Sequence, residues 1–363
     1  MKIVLDNVIY SRVSNGGVSN YWYELSKFLL QEEDKKDLMF VDSKLGENNF
    51  HRKQLSFDTE QIIVEKKPTS ELVSKLLPLK ISLNHYYLYH SSYYRNLSTN
   101  DKHVEVTTVH DFIHNFYSSL LKRTIHNKLK YESINNANGI ICISESTYRD
   151  LKRFCPPRKN QKVAIIHNGV SEDYFKIDST NAIQENFLNF YDLKRKYLLF
   201  IGSRANYKNF AFVLELLKAM PELKLVVVGP PLTKKEVGGI AQELSQRITL
   251  INNIKNEELN LLYNFAEAFI YPSSYEGFGI PIIEAMRAGC PVMALNNSSI
   301  TEISGNAGIL FNDLAVNDFK SSLFRLRENS FKDDLIERGY EQSKKFSWKK
   351  CCQETHDFYK EIY

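Results

Sequence analysis

Long apolar runs are missing from this chain of 363 residues. Its most apolar stretches, LKLVVVG from Leu223 and AFIYP from Ala268, stay at strand length, far short of the roughly 20 residues that span a bilayer. The opening MKIVLD reads as a strand, with no basic n-region, long apolar h-region or cleavage site, which argues against a secreted precursor. The five cysteines, Cys142, Cys155, Cys290, Cys351 and Cys352, are odd in number and show no C-x-x-C spacing. They support neither a disulfide framework nor a zinc knuckle, and they fit a reducing cytoplasm. Asp-x-Asp is absent, as is any His, Asp and Glu cluster at ligand spacing, so a bound metal is not expected. The G-x-G-x-x-G fingerprint is absent too, which disfavours a dehydrogenase.

What is present is an ordinary globular balance: 43% apolar residues, 25% charged and a mean hydropathy of −0.35. Such a composition sets aside disordered, collagen-like and coiled-coil classes. A chain this long exceeds one hydrophobic core, so two domains of about 150–180 residues are expected. The net charge of +4 is unevenly placed. Residues 1–180 hold 25 Lys and Arg against 21 Asp and Glu, and the remainder 22 against 22. Within 122–162 there are 10 basic residues and 3 acidic ones. A patch of that kind suits anionic lipid, a phosphorylated acceptor or nucleic acid, and equally an ordinary solvated face. No recognised nucleic-acid module or basic-aromatic pattern accompanies it, so nucleic acid is not an expected partner.

Short β-branched runs alternate with helical stretches, the pattern of parallel sheets in an α/β protein. One series of strands is expected at Ile3–Asp6, Leu38–Asp42, Ile62–Glu65, Leu88–Ser91, Val104–His110, Gly139–Ser144 and Val163–Asn168. A second is expected at Tyr197–Ser203, Leu223–Gly229, Ile248–Ile251, Ala268–Tyr271, Pro291–Ala294 and Gly308–Phe311. Between them EDYFKIDSTNAIQENFLNFYDLKRKY lacks a strand pattern, and the domain boundary is placed there, near residue 180. Ligands of such sheets sit at the carboxyl ends of the strands.

The most informative stretch is YPSSYEGFGIPIIEAMRAGCPVMA, from Tyr271 to Ala294. A strand gives way to a loop in which Gly277 and Gly279 let backbone N–H groups approach a ligand, and a helix then begins with Pro281 at its first position. That helix start favours an anion. Glu276 and Glu284, in a Glu-x7-Glu spacing, can each accept hydrogen bonds from paired hydroxyls. Two carboxylates around an anion-friendly loop suit sugars on either side of a diphosphate. In FIGSRANYKNF, Arg204 and Lys208 follow a strand end and could clamp a diphosphate and hold its charge as it leaves; exposed surface cations are the plain alternative. Gly16-Gly17 between the first strand and a helix is more often structural, and His110-Asp111 at a strand end could bond a sugar hydroxyl or move a proton. Tyr86, Tyr87, Tyr89, Tyr93 and Tyr94 could stack on sugar rings, or be core and rim.

Tyr271–Ala294, taken with Arg204, Lys208 and HNGV at His167–Val170, resembles family 4 of the glycosyltransferases over nearly the whole chain. Gly16-Gly17, Thr108–Asp111, ICIS at Ile141–Ser144 and FSW at Phe346–Trp348 fall in that family's order. The resemblance implies the GT-B fold, two Rossmann-like domains facing each other across a cleft. Residues 1–178 would form the acceptor domain, with a C-terminal helix over 347–363 packing back on it, and 179–346 the donor domain. It also implies retention of anomeric configuration without a metal or other cofactor. By matching position, Arg204 and Lys208 would bind the diphosphate, helped by the backbone of Gly16 and Gly17. Glu276 with the backbone of Gly277, Phe278 and Gly279 would hold the transferred sugar, and Glu284 the ribose. His110 would contact the sugar near the reacting centre, and the base would lie by Gly229-Pro230 and Asn253-Ile254. NNSS at Asn296–Ser299 departs from the pattern and could tune donor choice.

The implied partners are a GDP- or UDP-linked hexose, mannose among the candidates, and a glycan or lipid-linked glycan acceptor of bacterial surface polysaccharide, such as capsule or lipopolysaccharide. The implied place is the cytoplasm, with peripheral contact at the inner membrane face left open. Two rivals share the fold: a non-hydrolysing sugar-nucleotide epimerase, which would turn over donor without acceptor, and a nucleotide-sugar-binding protein without catalysis. The presence of Arg204, Lys208, Glu276 and Glu284 argues against the second.

Overall fold

The computed structural model describes residues 1–65, 77–193 and 196–363. Lys194 and Arg195, within the segment expected to join the domains, lie outside the described residues. The chain divides into two compact units, one of Met1–Gly169 with Trp348–Tyr363 and one of Val170–Ser347.

The first unit is built on seven parallel strands. In spatial order they are Ile62–Val64, Leu38–Asp42, Ile3–Asp6, Tyr87–Ser91, His103–Val109, Gly139–Cys142 and Lys162–Ile165. The second carries six: Ile248–Ile251, Lys224–Val228, Tyr197–Ile201, Ala268–Tyr271, Val292–Leu295 and Ile309–Phe311. Both follow the doubly wound order in which the third, second and first strands precede the fourth, so each sheet has a switch point beside its first strand. Every expected strand is present within a few residues of its bounds. They are recognisable because strands covered on both faces are nearly all apolar: LVVV and AFIY are fully buried.

The unit boundary falls nine residues before the expected 178/179 division, and the reason is hydrogen bonding. The Phe175 and Ile177 N–H groups donate to the side chains of Asn260 and Asn264, and Arg287 Nε donates to the Tyr174 carbonyl at 3.1 Å. These bonds tie 170–178 to the second unit. The terminal helix Trp348–Ile362 buries Cys351, Cys352, Phe358 and Tyr359 within the first unit. Its His356 Nε2 meets Glu33 Oε1 at 2.5 Å.

The five cysteines are buried and unpaired by disulfides. Among the described residues no helix is long and apolar enough to cross a membrane.

Candidate functional site

In a parallel sheet all carboxyl ends lie along one edge. In the second unit that edge carries Gly202–Lys208, Gly229-Pro230, Asn253-Ile254, Pro272–Gly279 and Asn296–Ser299, each following a strand. The sequence separations within this set reach about a hundred residues; the strand order alone assembles it.

Its centre is the switch point between Tyr197–Ile201 and Ala268–Tyr271. On the other side of Tyr197–Ile201, Gly202 (φ +115) and Gly229, which follows the neighbouring strand Lys224–Val228, meet so closely that a Cβ on Gly229 would lie 2.4 Å from the Gly202 carbonyl oxygen. The same Cβ position is 3.7 Å from Arg204 Nη1, and that of Gly202 is 4.0 Å from Lys208 Nζ. Two cations thus flank a backbone surface stripped of side chains.

Neither is the exposed surface cation that the residue type alone suggests. Arg204 is only 4% exposed and pairs with Glu236, Nε to Oε1, at 2.7 Å. The hydrogen bond from Arg204, with the Thr233 N–H, holds the Glu236 carboxyl down at about 2. Lys208 Nζ pairs with Glu276 Oε1 at 2.5 Å and lies over the Tyr271 ring. Arg204 and Glu236 also border a cavity of about 500 Å³ lined on its other sides by Phe210, Phe212, Ile240 and Leu314.

The loop that carries Glu276 is fastened from three directions. Asn209, in the left-handed region at φ 51, donates to the Pro272 carbonyl and Ser274 Oγ, both at 2.7 Å. Ser298 Oγ accepts the Glu276 N–H at 3.0 Å. Buried Ser299 reaches the carbonyls of Glu276 and Phe278 at 2.9 and 2.8 Å. So NNSS supports the loop from behind. Phe278 is buried against Phe346, which leaves its backbone alone to face a ligand. Gly279 (φ +105) opens the helix Ile280–Arg287, with Pro281 second rather than first.

Glu284, one turn into that helix, accepts from the Tyr263 hydroxyl at 2.9 Å. Burial raises its carboxyl from 4.5 to about 7, against the opposing hydrogen bonds of Tyr263 and Tyr174. Its ionisation therefore falls in the neutral range, a consequence of burial that no local pattern around Glu284 signals.

Of the expected residues, Gly16, Gly17 and His110 belong to the first unit. Gly16 caps the helix Gly17–Glu32. His110 follows the strand His103–Val109, buried edge-on to Tyr21, and desolvation lowers its imidazole to about 4. It is a neutral hydrogen-bonding group at ordinary pH.

The tyrosine series is mainly core. Tyr87, Tyr89 and Tyr94 are buried, and the Tyr89 hydroxyl donates to Asp6 Oδ2 at 3.0 Å. Tyr93 bonds His126 Nε2 at 2.9 Å, and Tyr86 packs on Tyr363. Among the described residues no group of three or more His, Cys, Asp or Glu could hold a metal ion.

Asn209, Glu236 and Tyr263 are the residues that sequence reasoning missed, and Ser299, expected within NNSS to tune donor choice, bonds the loop carbonyls instead. Two of them carried a signal: Asn209 stands immediately before an apolar helical run, and Thr233-x-x-Glu236 is a capping-box spacing.

Comparison with known proteins bears on the family and the fold. The profile of glycosyl transferases group 1 matches residues 184–342, and that of glycosyltransferase family 4 matches 15–174. The O-antigen chain mannosyltransferase B of Escherichia coli is 29% identical over 244 residues, 64% of this chain and 63% of that protein. The chain therefore matches less than two thirds of that relative's length. Sucrose-phosphate synthase from Thermosynechococcus elongatus superposes with a TM-score of 0.76 at 18% identity, covering 100% of this chain and 99% of that one. HepE of Anabaena, solved with UDP and glucose, does so with a TM-score of 0.71 at 15% identity, over 98% of each chain. With one family profile on each unit and the GT-B fold throughout, the chain belongs to glycosyltransferase family 4.

Proposed function

We propose that the protein transfers a hexose from a nucleoside diphosphate sugar to a hydroxyl of a glycan or lipid-linked glycan, in the assembly of a surface polysaccharide. The observation that carries this reading is the pair of cations, Arg204 Nη1 and Lys208 Nζ, flanking the bare backbone of Gly202 and Gly229 at the carboxyl ends of two neighbouring strands, the first of which borders the switch point. Two relationships support it: the E. coli relative is named an O-antigen chain mannosyltransferase, and HepE was solved with UDP and glucose. Mannose is the favoured hexose on the first of these, and GDP and UDP are both candidate carriers.

In the proposed reaction the bond between the anomeric carbon and the diphosphate oxygen breaks while the acceptor oxygen bonds the same face, with retention. The acceptor proton passes to the departing diphosphate. Arg204 and Lys208 offset the charge that develops there, the largest electrostatic contribution and one that needs no metal in this reading. Glu276 and the backbone of Gly277, Phe278 and Gly279 hold the sugar, and Glu284 accepts from the ribose. The backbone at Gly229 and Ile254 borders the base. Gly16 and Gly17 assist the diphosphate, and neutral His110 bonds a sugar hydroxyl.

The acceptor side faces a membrane. In the first unit Phe116, Tyr117, Leu120, Leu121 and Ile125 are exposed, the two leucines at 71% and 72%. On the helix Leu120–Asn136, Leu120, Leu121 and Ile125 lie opposite buried Lys130, Ser133 and Ile134, while Phe116 and Tyr117 belong to the preceding helix Ile113–Tyr117. Lys122 and Arg123 follow the two leucines in sequence, Lys128 is exposed on the same helix, and Arg153 lies against the Phe116 ring. Apolar side chains among cations suit an anionic bilayer surface.

A thermal-shift screen of nucleoside diphosphates and nucleotide sugars, with and without EDTA, tests the donor half. One nucleotide should raise the melting temperature by mass action, unchanged by EDTA. Arg204→Ala should cut turnover by about 10²- to 10³-fold while the protein stays folded; unchanged turnover would sink the assignment. Donor turnover without any acceptor would favour the epimerase.

A further inference from the structure

The Arg204 guanidinium is held on two of its three nitrogens. Nε donates to Glu236 Oε1 at 2.7 Å, and Nη2 donates to the Pro231 carbonyl at 2.8 Å with Glu236 Oε2 at 3.5 Å. Nη1 is buried and has no hydrogen-bond partner among the described residues. Glu236 is itself tied down. Its Oε2 accepts the Thr233 N–H at 2.7 Å, and Thr233 Oγ1 accepts the Glu236 N–H at 3.3 Å, a capping box opening the helix Lys234–Gly239. The chain of contacts from Thr233 through Glu236 to Arg204 therefore sets the plane of the guanidinium.

That plane has one unsatisfied edge, and it faces the site. A buried charged donor left without an acceptor is costly, so an acceptor oxygen placed there gains more than one at the surface. Glycine at 229 lets the backbone lie against the Gly202 carbonyl beside this edge: a Cβ there would be 2.4 Å from that oxygen and 3.7 Å from Nη1.

We propose that Glu236 is a positioning residue for donor binding: it holds the Nε and Nη2 edge of Arg204 so that Nη1 is presented, already oriented, to a phosphate oxygen beside Gly202 and Gly229. It does not touch the donor. The proposal rests on the reading of Arg204 as the partner of the diphosphate. It is opposed to a second arrangement in which the carboxylate competes with phosphate for Arg204 and has to be displaced. The two predict changes of opposite sign.

The test is calorimetric titration of the full chain with UDP and with GDP, using Glu236→Ala, Glu236→Gln, Arg204→Ala and the double variant. Glu236→Ala should weaken the better-bound nucleotide by about 10-fold. Glu236→Gln should recover part of that loss, because its side-chain oxygen still accepts the Nε proton. In the Arg204→Ala background, Glu236→Ala should change affinity by less than about twofold, since the two act as one unit. A helix-capping role alone would lower the melting temperature equally in both backgrounds and leave affinity unchanged. Tighter binding by Glu236→Ala, or unchanged binding where Arg204→Ala weakens it, overturns the proposal. Unchanged binding in Arg204→Ala, or no binding of either nucleotide by the unaltered chain, overturns the reading of the site together with it.

Discussion

Lys208 Nζ and Glu276 Oε1 stand 2.5 Å apart, on loops that follow two neighbouring strands of the second sheet. The side chains are 12% and 10% exposed. The two residues were expected to serve different parts of the donor, one the diphosphate and one the sugar. The structure makes them one element, in which each charge compensates the other.

A pair this buried breaks asymmetrically, because removing one member strands the other. Lys208→Met and Glu276→Gln are each expected to lower turnover by about 10²-fold or more. Each should also destabilise the fold by about 3 kcal/mol, and the double variant by less than the sum. Urea unfolding of the three variants beside their turnover checks this; strict additivity would mean the pair does not form.

If Glu284 binds the donor ribose as proposed, donor binding is expected to depend on pH. Its carboxyl is raised from 4.5 to about 7, so between these values the folded protein keeps a proton that the unfolded chain has released. Stability from this group is therefore greatest in acid and declines as pH rises from about 4.5 through about 7. Binding runs the other way, because a carboxylate accepts from ribose hydroxyls better than the protonated acid does. Nucleotide affinity should rise between about pH 6 and about pH 8 in the unaltered protein and stay nearly flat in Glu284→Gln. Calorimetry at several pH values reads both curves.

Ser299 anchors the loop that carries Glu276 through the carbonyls of Glu276 and Phe278. Its replacement by Ala leaves both without that donor and should cost about 1–2 kcal/mol. Donor affinity should fall with it, since the loop's N–H groups lose their support. Thermal melts paired with nucleotide titration would show either result; an unaltered melt would place the loop's support elsewhere.

The exposed leucines give the membrane reading its own test. Flotation with vesicles rich in anionic lipid should carry the protein, and vesicles of zwitterionic lipid alone should not. Leu120→Glu with Leu121→Glu should abolish the association, and Lys122→Glu with Arg123→Glu should weaken it, each basic residue being worth about fivefold. Binding unaffected by either pair would remove this surface from the acceptor side.

How far the sequence carried can be judged residue by residue. The strands were legible because a parallel strand covered on both faces is a short, unbroken apolar run, as in LVVV of Lys224–Val228. The loop from Tyr271 to Gly279 was legible because glycine, proline and carboxylate each have a backbone or chemical reason to stand where they do. The end of the first domain was not. Its position depends on Asn260 and Asn264 accepting from Phe175 and Ile177 across more than eighty residues.

By itself, the sequence determined the α/β class, the two series of parallel strands and the identity of the cations and carboxylates at the strand ends, since each follows from a local pattern. Only the tertiary structure decided who partners whom: Arg204 with Glu236, Lys208 with Glu276, Glu284 with Tyr263, and the tyrosines with the core. Those pairings depend on which strands lie side by side and how the loops close over them. Residues 32 and 68 apart in the chain meet because the sheet's winding order brings their strand ends together.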